Sequence, residues 1–153
     1  MEGRGRVPAV RKAVELSRAS GARELTICLV ITSSEVEARI ATEAALKDAS
    51  KHPVAIVVVG VGDGPFDDMA RLDDDVGSRL FDNLKFVELE KVRAECERTG
   101  DALAQSLALA CLSEIPKAVA ACERLGYIGK AHVAKSAAPL LPKHHHVAAP
   151  RKK

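Results

Sequence analysis

The run Val54 to Val59 (VAIVVV) ends at a glycine-rich turn that leads straight into a helix start. It shows no polar alternation, so it reads as a strand covered on both faces, the condition of a central strand in a parallel sheet. His52-Pro53 breaks the preceding helix, and Gly60-x-Gly62-x-Gly64 followed by Pro65-Phe66 makes the turn. Strand, glycine turn and helix N-terminus are also the parts of a phosphate-binding loop. Whether this turn binds anything is the first question the chain poses.

Composition narrows the class. Hydrophobic residues make up 47% and aromatics only 3%, so the core must be built from Val, Leu, Ile and Ala, as in layered α/β proteins. At 153 residues one domain is expected, with enough chain for a real core. A formal net charge of +2 is too small to argue for nucleic acid or a membrane surface. Cys28, Cys96, Cys111 and Cys122 fall inside predicted strands and helices without a C-x-x-C pair, the usage of small buried hydrophobes in a reducing compartment. The start MEGRGRVPAV lacks the apolar stretch of a secretory signal, and no apolar run is long enough to span a bilayer. An intracellular chain without membrane insertion is expected, in the nucleus, the cytoplasm or both.

Taken in order, residues 1–7 are expected to be loose. Pro8 suits a first helical turn, with Val10, Ala13, Val14 and Ser17 at helical spacing and Gly21 as the stop. Leu25 to Ile31 reads as a strand. Ser34 with Glu37 matches a capping box that opens a helix to about Ser50, with Val36, Ile40, Ala44 and Leu46 facing inward. After the central strand Pro65 reads as a first helical position, Asp67 and Asp68 favour the helix dipole, and Phe66, Met69 and Leu72 form a stripe. Asp73 to Gly77 reads as an acidic turn, and Leu84 to Leu89 as a third strand. A helical region covers Leu89 to Ile115 with an interruption at Thr99-Gly100, and Pro116 starts a last helix ending near Gly126. The Ala/Pro/His/Lys segment from 129 to 153 is expected to have no fixed structure. The order α-β-α-β-α-β-α-α argues for helices packed on a parallel sheet.

The chemical motifs are weak. The dinucleotide fingerprint needs a third glycine where Pro65 stands, and a P-loop needs a Gly-Lys-Ser/Thr that is absent. Asp63, Asp67 and Asp68 would set carboxylates where a phosphate needs bare N–H groups. A structural turn is the expectation. The run Asp73-Asp74-Asp75 does not match a calcium loop, because Gly77 comes one place early and the twelfth position is Leu84. His144, His145 and His146 lie in the tail, and His52 and His132 stand alone. No nucleophile with its base can be assembled, so no catalytic residue is assigned. No cofactor and no nucleic-acid partner is expected.

Several separated motifs agree with one family. Ala49 to Pro53, the run Val59 to Met69 (VGVGDGPFDDM), Leu80 to Val87 and Leu112 to Pro116 resemble, in order and spacing, the copine-type von Willebrand A domain. The Gly-Asp-Gly-Pro-Phe-Asp turn and the Phe-Asp-Asn step resemble the form found in plant ubiquitin ligases that join a copine domain to a RING finger. The signature residues are Gly60, Gly62, Asp63, Gly64, Pro65, Phe66, Asp67, Phe81, Asp82, Asn83, Glu114, Ile115 and Pro116. The resemblance implies an α/β fold, a partial von Willebrand A (doubly wound, Rossmann-like) parallel sheet of about three strands with flanking helices, over residues 8–128.

The same resemblance implies a metal-ion-dependent adhesion site, from which this sequence departs. The loop with the D-x-S-x-S motif is expected to precede the sequence. Arg4 falls near the family's threonine, and Ser33-Ser34 stands where the family has Asp-Gly. Divalent cations want carboxylate oxygens, so no metal binding is expected here. The scattered cysteines do not make a RING. The family's partner for the strand at Leu25–Ile31 would also precede the sequence, so an open, apolar edge is expected: a template for association with a second copy or a full-length relative, or a cause of poor solubility. The leading reading is a non-catalytic copine-type protein-interaction module related to RING ubiquitin ligases. The alternatives are a truncated family remnant linked to ubiquitin-protein transferase activity by descent, and a nucleotide or phosphate binder at Gly60–Gly64.

Overall fold

The structure, a computed structural model, describes residues 6–21, 23–35 and 38–129. Arg4 and the histidines of the tail lie outside the described residues, as does residue 37 of the expected capping box. The elements are α1 (Arg6–Ala19), β1 (Thr26–Thr32), α2 (Arg39–Ala49), β2 (Val54–Gly60), α3 (Asp67–Asp74), β3 (Leu84–Glu88), α4 (Leu89–Thr99), α5 (Leu103–Leu112) and α6 (Ile115–Arg124). The fold is α/β.

The strands form one parallel sheet in the order β1-β2-β3. Register sets Ile27 beside Ala55 and Ile31 beside Val59 on one side, and Val58 beside Phe86 on the other. Every residue of β2 is buried, as its unbroken apolar run requires. This arrangement is consistent with part of a von Willebrand A-like sheet.

One face of the sheet carries the larger core. Val54, Ile56 and Val58 of β2 pack with Val10, Ala13 and Val14 of α1, Ala45, Leu46 and Ala49 of α2, and Phe66, Met69 and Leu72 around α3. Each fully buried side chain of Ile or Met size contributes about 1.5–3 kcal/mol. The opposite face is thinner. Ala55 and Phe81 meet Ala118, Ala121 and Cys122 of α6, with Leu25, Ile115, Tyr127 and Ile128 at the margin. α5 also touches β2 and β3, yet none of its residues is fully buried.

The start of α2 departs from its expected place. The helix begins at Arg39, behind a left-handed Ala38 (φ 63°) with no side-chain cap, and not at a Ser34 capping box. The Ser34 N–H instead bonds Thr32 Oγ1 at 3.3 Å, a local turn that competes with helix initiation. The buried stripe of α2 is Thr42, Ala45, Leu46 and Ala49, while Ile40 is 84% exposed and Ala44 is exposed. Thr42, Ala45 and Ala49 at i, i+3 and i+7 are small and let α1 and α2 pack together around Leu46, and that spacing outweighs the bulk of Ile40.

Two smaller corrections concern α3. Pro65 precedes the helix N-cap, Phe66, rather than opening the helix, and is joined to Gly64 by a cis peptide. Asp73 and Asp74 belong to the last turn of α3, so only the end of the acidic run is a turn. The break at Thr99-Gly100 is present, with Gly100 in the left-handed region (φ 82°) where glycine carries no Cβ penalty.

Candidate functional site

In open α/β sheets ligands collect beyond the carboxyl ends of the strands, which makes those ends the first candidate site. After β2, Gly62 and Gly64 adopt positive φ (88° and 78°) and turn the chain sharply. Packing favours glycine at Gly60. A Cβ there would lie 3.0 Å from Phe66 Cζ and 3.1 Å from Phe86 Cζ. The two rings meet at 5.6 Å between centroids, tilted 57°, and fill the space above the strand end. Asp67 and Asp68 occupy the first turn of α3, and Asp68 is paired with Arg39 at 3.4 Å and Arg71 at 3.7 Å. The turn is plugged by rings and fronted by carboxylates, which is hostile to a phosphate.

After β1, Ser33 and Ser34 are exposed. The Arg6 guanidinium donates to Thr32 Oγ1 (2.9 Å), to the Glu35 carbonyl (3.0 Å) and to the Ser34 carbonyl. It thereby ties the start of α1 to the end of β1. Arg6 thus places a cation at this loop, held by one side-chain hydroxyl and two backbone carbonyls. Among the described residues no three His, Cys, Asp or Glu side chains gather as a metal ion would require.

The Phe81-Asp82-Asn83 step is a structural seam. Asn83 is buried, and its Nδ2 donates to the Leu46 carbonyl at 3.0 Å while its own carbonyl accepts the Ile56 N–H at 2.7 Å. The Arg79 side chain, only 5% exposed, donates to the carbonyls of Leu72 (3.0 Å), Asp75 (2.7 Å) and Val76 (2.9 Å) and to Asn83 Oδ1 (3.3 Å). Burial pushes its pKa down, against the pull of Asp82, Asp73 and Asp75. Ser50 Oγ accepts the Leu80 N–H (2.9 Å) and donates to the Lys47 carbonyl (2.7 Å). A cleft of about 110 Å³ beside this seam, between Leu46, Leu72 and Arg79, is far below the roughly 300–1,000 Å³ of ligand pockets.

The acidic run serves the same seam. Asp73 accepts the Phe86 N–H at 3.1 Å and pairs with Lys85 at 3.5 Å, and Asp75 accepts the Gly77 N–H at 2.8 Å. Burial pushes the Asp73 carboxyl up, partly offset by Lys85 and that hydrogen bond. At the head of α6, Glu114 pairs with Lys117 (2.9 Å), which pulls its pKa down, Ile115 packs on the thin face and Pro116 sits in the first turn. All four cysteines are free; Cys122 is fully buried and its thiol is pushed up to about 11 by desolvation. His52 is held below its usual range, first by burial and then by Arg18. Among the described residues no helix is long and apolar enough to cross a membrane.

What the seam and the turn leave open is β1. β2 pairs along one side of it, and among the described residues no strand lies along the other. Its residues alternate in burial, and Ile27, Leu29 and Ile31 are 46%, 60% and 66% exposed on the thin face of the sheet. β1 carries no lysine, proline or other device that discourages strand addition.

The family model for Copine matches residues 6–131. Copine family protein 2 of Caenorhabditis elegans is 35% identical over 122 residues, 80% of this chain and 2% of that protein. The E3 ubiquitin-protein ligase RGLG5 of Arabidopsis thaliana is 31% identical over 135 residues, covering 80% of this chain and 31% of the ligase. RGLG3 of the same plant is 45% identical over 76 residues, 50% of this chain and 20% of the ligase. The chain spans less than a third of the length of each of these relatives. With the glycine turn, the Phe-Asp-Asn seam and the Glu-Ile-Pro helix start inside the matched region, the chain belongs to the copine family.

Proposed function

We propose that this chain is a non-catalytic copine-type protein-interaction module of the ubiquitination pathway, acting in the nucleus, the cytoplasm or both, with residues 8–128 as the module. The observation that carries the reading is the open edge of β1 with its bare Ile27, Leu29 and Ile31. Main-chain groups on a free edge supply affinity for an added strand, and alternate side chains supply specificity. The link to ubiquitination rests on the similarity to the RGLG ligases. The chain's own part is binding, with no cofactor and no catalytic group.

The loop after β1 is read as a degenerate metal position. Ser33 brings no carboxylate, and Arg6 already engages the hydroxyl and carbonyl oxygens that a divalent cation would use. Magnesium or manganese at sub-millimolar concentration should leave the melting temperature unchanged; a rise would overturn this part. With a conjugating enzyme, the chain alone should build no ubiquitin chains. The decisive experiment is direct binding to purified full-length RGLG-type ligases. The wild-type chain should bind, and Leu29→Lys should weaken binding by about tenfold or more. Absence of binding to every such ligase would remove the link to that pathway.

A further inference from the structure

β1 reads nearly the same in both directions. Its residues, Thr26-Ile27-Cys28-Leu29-Val30-Ile31-Thr32, form a palindrome about Leu29 in which only Cys28 and Val30 differ, and those two are similar in size. We propose that the open edge of β1 takes a second copy of this chain, the two β1 strands pairing antiparallel about a two-fold axis through Leu29. This deepens the interaction-module reading by naming a partner for the same edge.

The pairing follows from chemistry and symmetry. An axis perpendicular to the sheet makes the strands antiparallel and keeps equivalent faces on one side, the self-complementary arrangement of a two-fold interface. Thr26 then lies opposite Thr32, Ile27 opposite Ile31, Cys28 opposite Val30, and Leu29 opposite its own copy. Like meets like at the ends and centre of the strand. Cross-strand pairs of β-branched and apolar side chains, and of threonines, are among the favourable ones. Ile27, Leu29 and Ile31 from both copies merge into one stripe on the thin face, and the free N–H and C=O groups of both edges are used. The product is a continuous sheet in the order β3-β2-β1-β1-β2-β3.

The competing arrangements are poorer. An axis perpendicular to the sheet but centred on Cys28 or Val30 leaves the far end of β1 without a partner and sets Ile27 or Ile31 against Leu29. A two-fold that made the strands parallel would invert one copy, placing the bare apolar stripe of one beside the α1-covered face of the other. Neither uses the palindrome. No charged residue within β1 opposes approach of the second strand.

The register gives the test. With the full 153-residue chain, size exclusion with light scattering at tens of micromolar should give twice the monomer mass, and Leu29→Lys should return the monomer with its melting transition intact. In a Cys28→Ala background, Leu29→Cys should form an intermolecular disulfide under mild oxidation. Opposite residues of an antiparallel pair have Cα atoms about 4.5–5.5 Å apart, inside the disulfide range. Ile27→Cys in the same background should not cross-link, because the two cysteines would lie about 13 Å apart along the strand. Adding Ile31→Cys to it should restore cross-linking. A monomeric wild-type chain overturns the proposal, as does equal cross-linking at 27 and 29. A Cys28-to-Cys28 disulfide in the wild type would move the axis and overturn the register. Ligase binding sensitive to Leu29→Lys without any dimer would sink this inference and leave the functional reading standing. A dimer that binds no ligase would do the reverse.

Discussion

The two faces of the sheet are built to different depths. On the α1–α2–α3 face, Ile56, Val58, Met69, Leu72 and Phe86 interlock with the helices. On the α6 face the buried cluster is Phe81 with the small residues Ala55, Ala118, Ala121 and Cys122, Val57 and Val59 of β2 are buried on the same side, and the stripe on β1 lies bare. Small residues let α6 approach closely but bury little apolar area each, so the first face carries most of the folding free energy. The second face is consequently the place where a partner can be added without rebuilding the core.

Ile56→Ala should show the largest effect. Removing a buried isoleucine from the centre of the deep face should cost about 4 kcal/mol in chemical denaturation. A cost near that of a thin-face substitution would break the comparison. Arg79→Ala comes next, at about 3 kcal/mol, because it strips hydrogen bonds from the carbonyls of Leu72, Asp75 and Val76 and leaves Asn83 short of a donor. Cys122→Ala should cost only about 1 kcal/mol, close to the transfer of a single methylene-sized group. A loss as large as that of Ile56→Ala would show the thin face to be a second true core.

The smallest effect is a pH slope. Burial raises the Asp73 carboxyl, so the folded chain holds that proton more tightly than the unfolded chain does. Its stabilising contribution is complete below the ordinary carboxylate range and is lost as the pH rises through the raised value. Asp73→Asn keeps an acceptor for the Phe86 N–H and should flatten that part of the curve of melting temperature against pH. An unchanged slope would place the titrating group elsewhere.

Much of the deep face is legible from spacing alone. Val10, Ala13, Val14 and Ser17 of α1, and Phe66, Met69 and Leu72 at α3, are buried as their helical periodicity implies. β2 is legible because a two-sided strand needs no alternation. Of the buried face of α2 only Leu46 is legible, because close helix packing selects Thr42, Ala45 and Ala49 over the larger Ile40, a preference set by the neighbouring helix. The seam is half legible. Phe81, Asp82 and Asn83 stand out as a motif, but Arg79 and Ser50 act mainly on backbone groups, which leave no trace in a pattern of side chains. The symmetry of β1 emerges only once its bounds are fixed, since it has meaning only about a strand centre.

The chain has one tyrosine and no tryptophan. Tyr127 packs against the thin face, and its N–H donates to the Cys122 carbonyl at 2.8 Å. Its emission therefore comes entirely from the shallow side of the molecule, while the three phenylalanines contribute almost no signal of their own. Far-ultraviolet circular dichroism, by contrast, averages over helices on both sides. Followed together through a denaturant titration, the two signals compare one face with the whole. Coincident curves mean that α6 melts with the rest; an earlier tyrosine transition means that the thin face peels away first, exposing the strands it covers while the deep core is still intact.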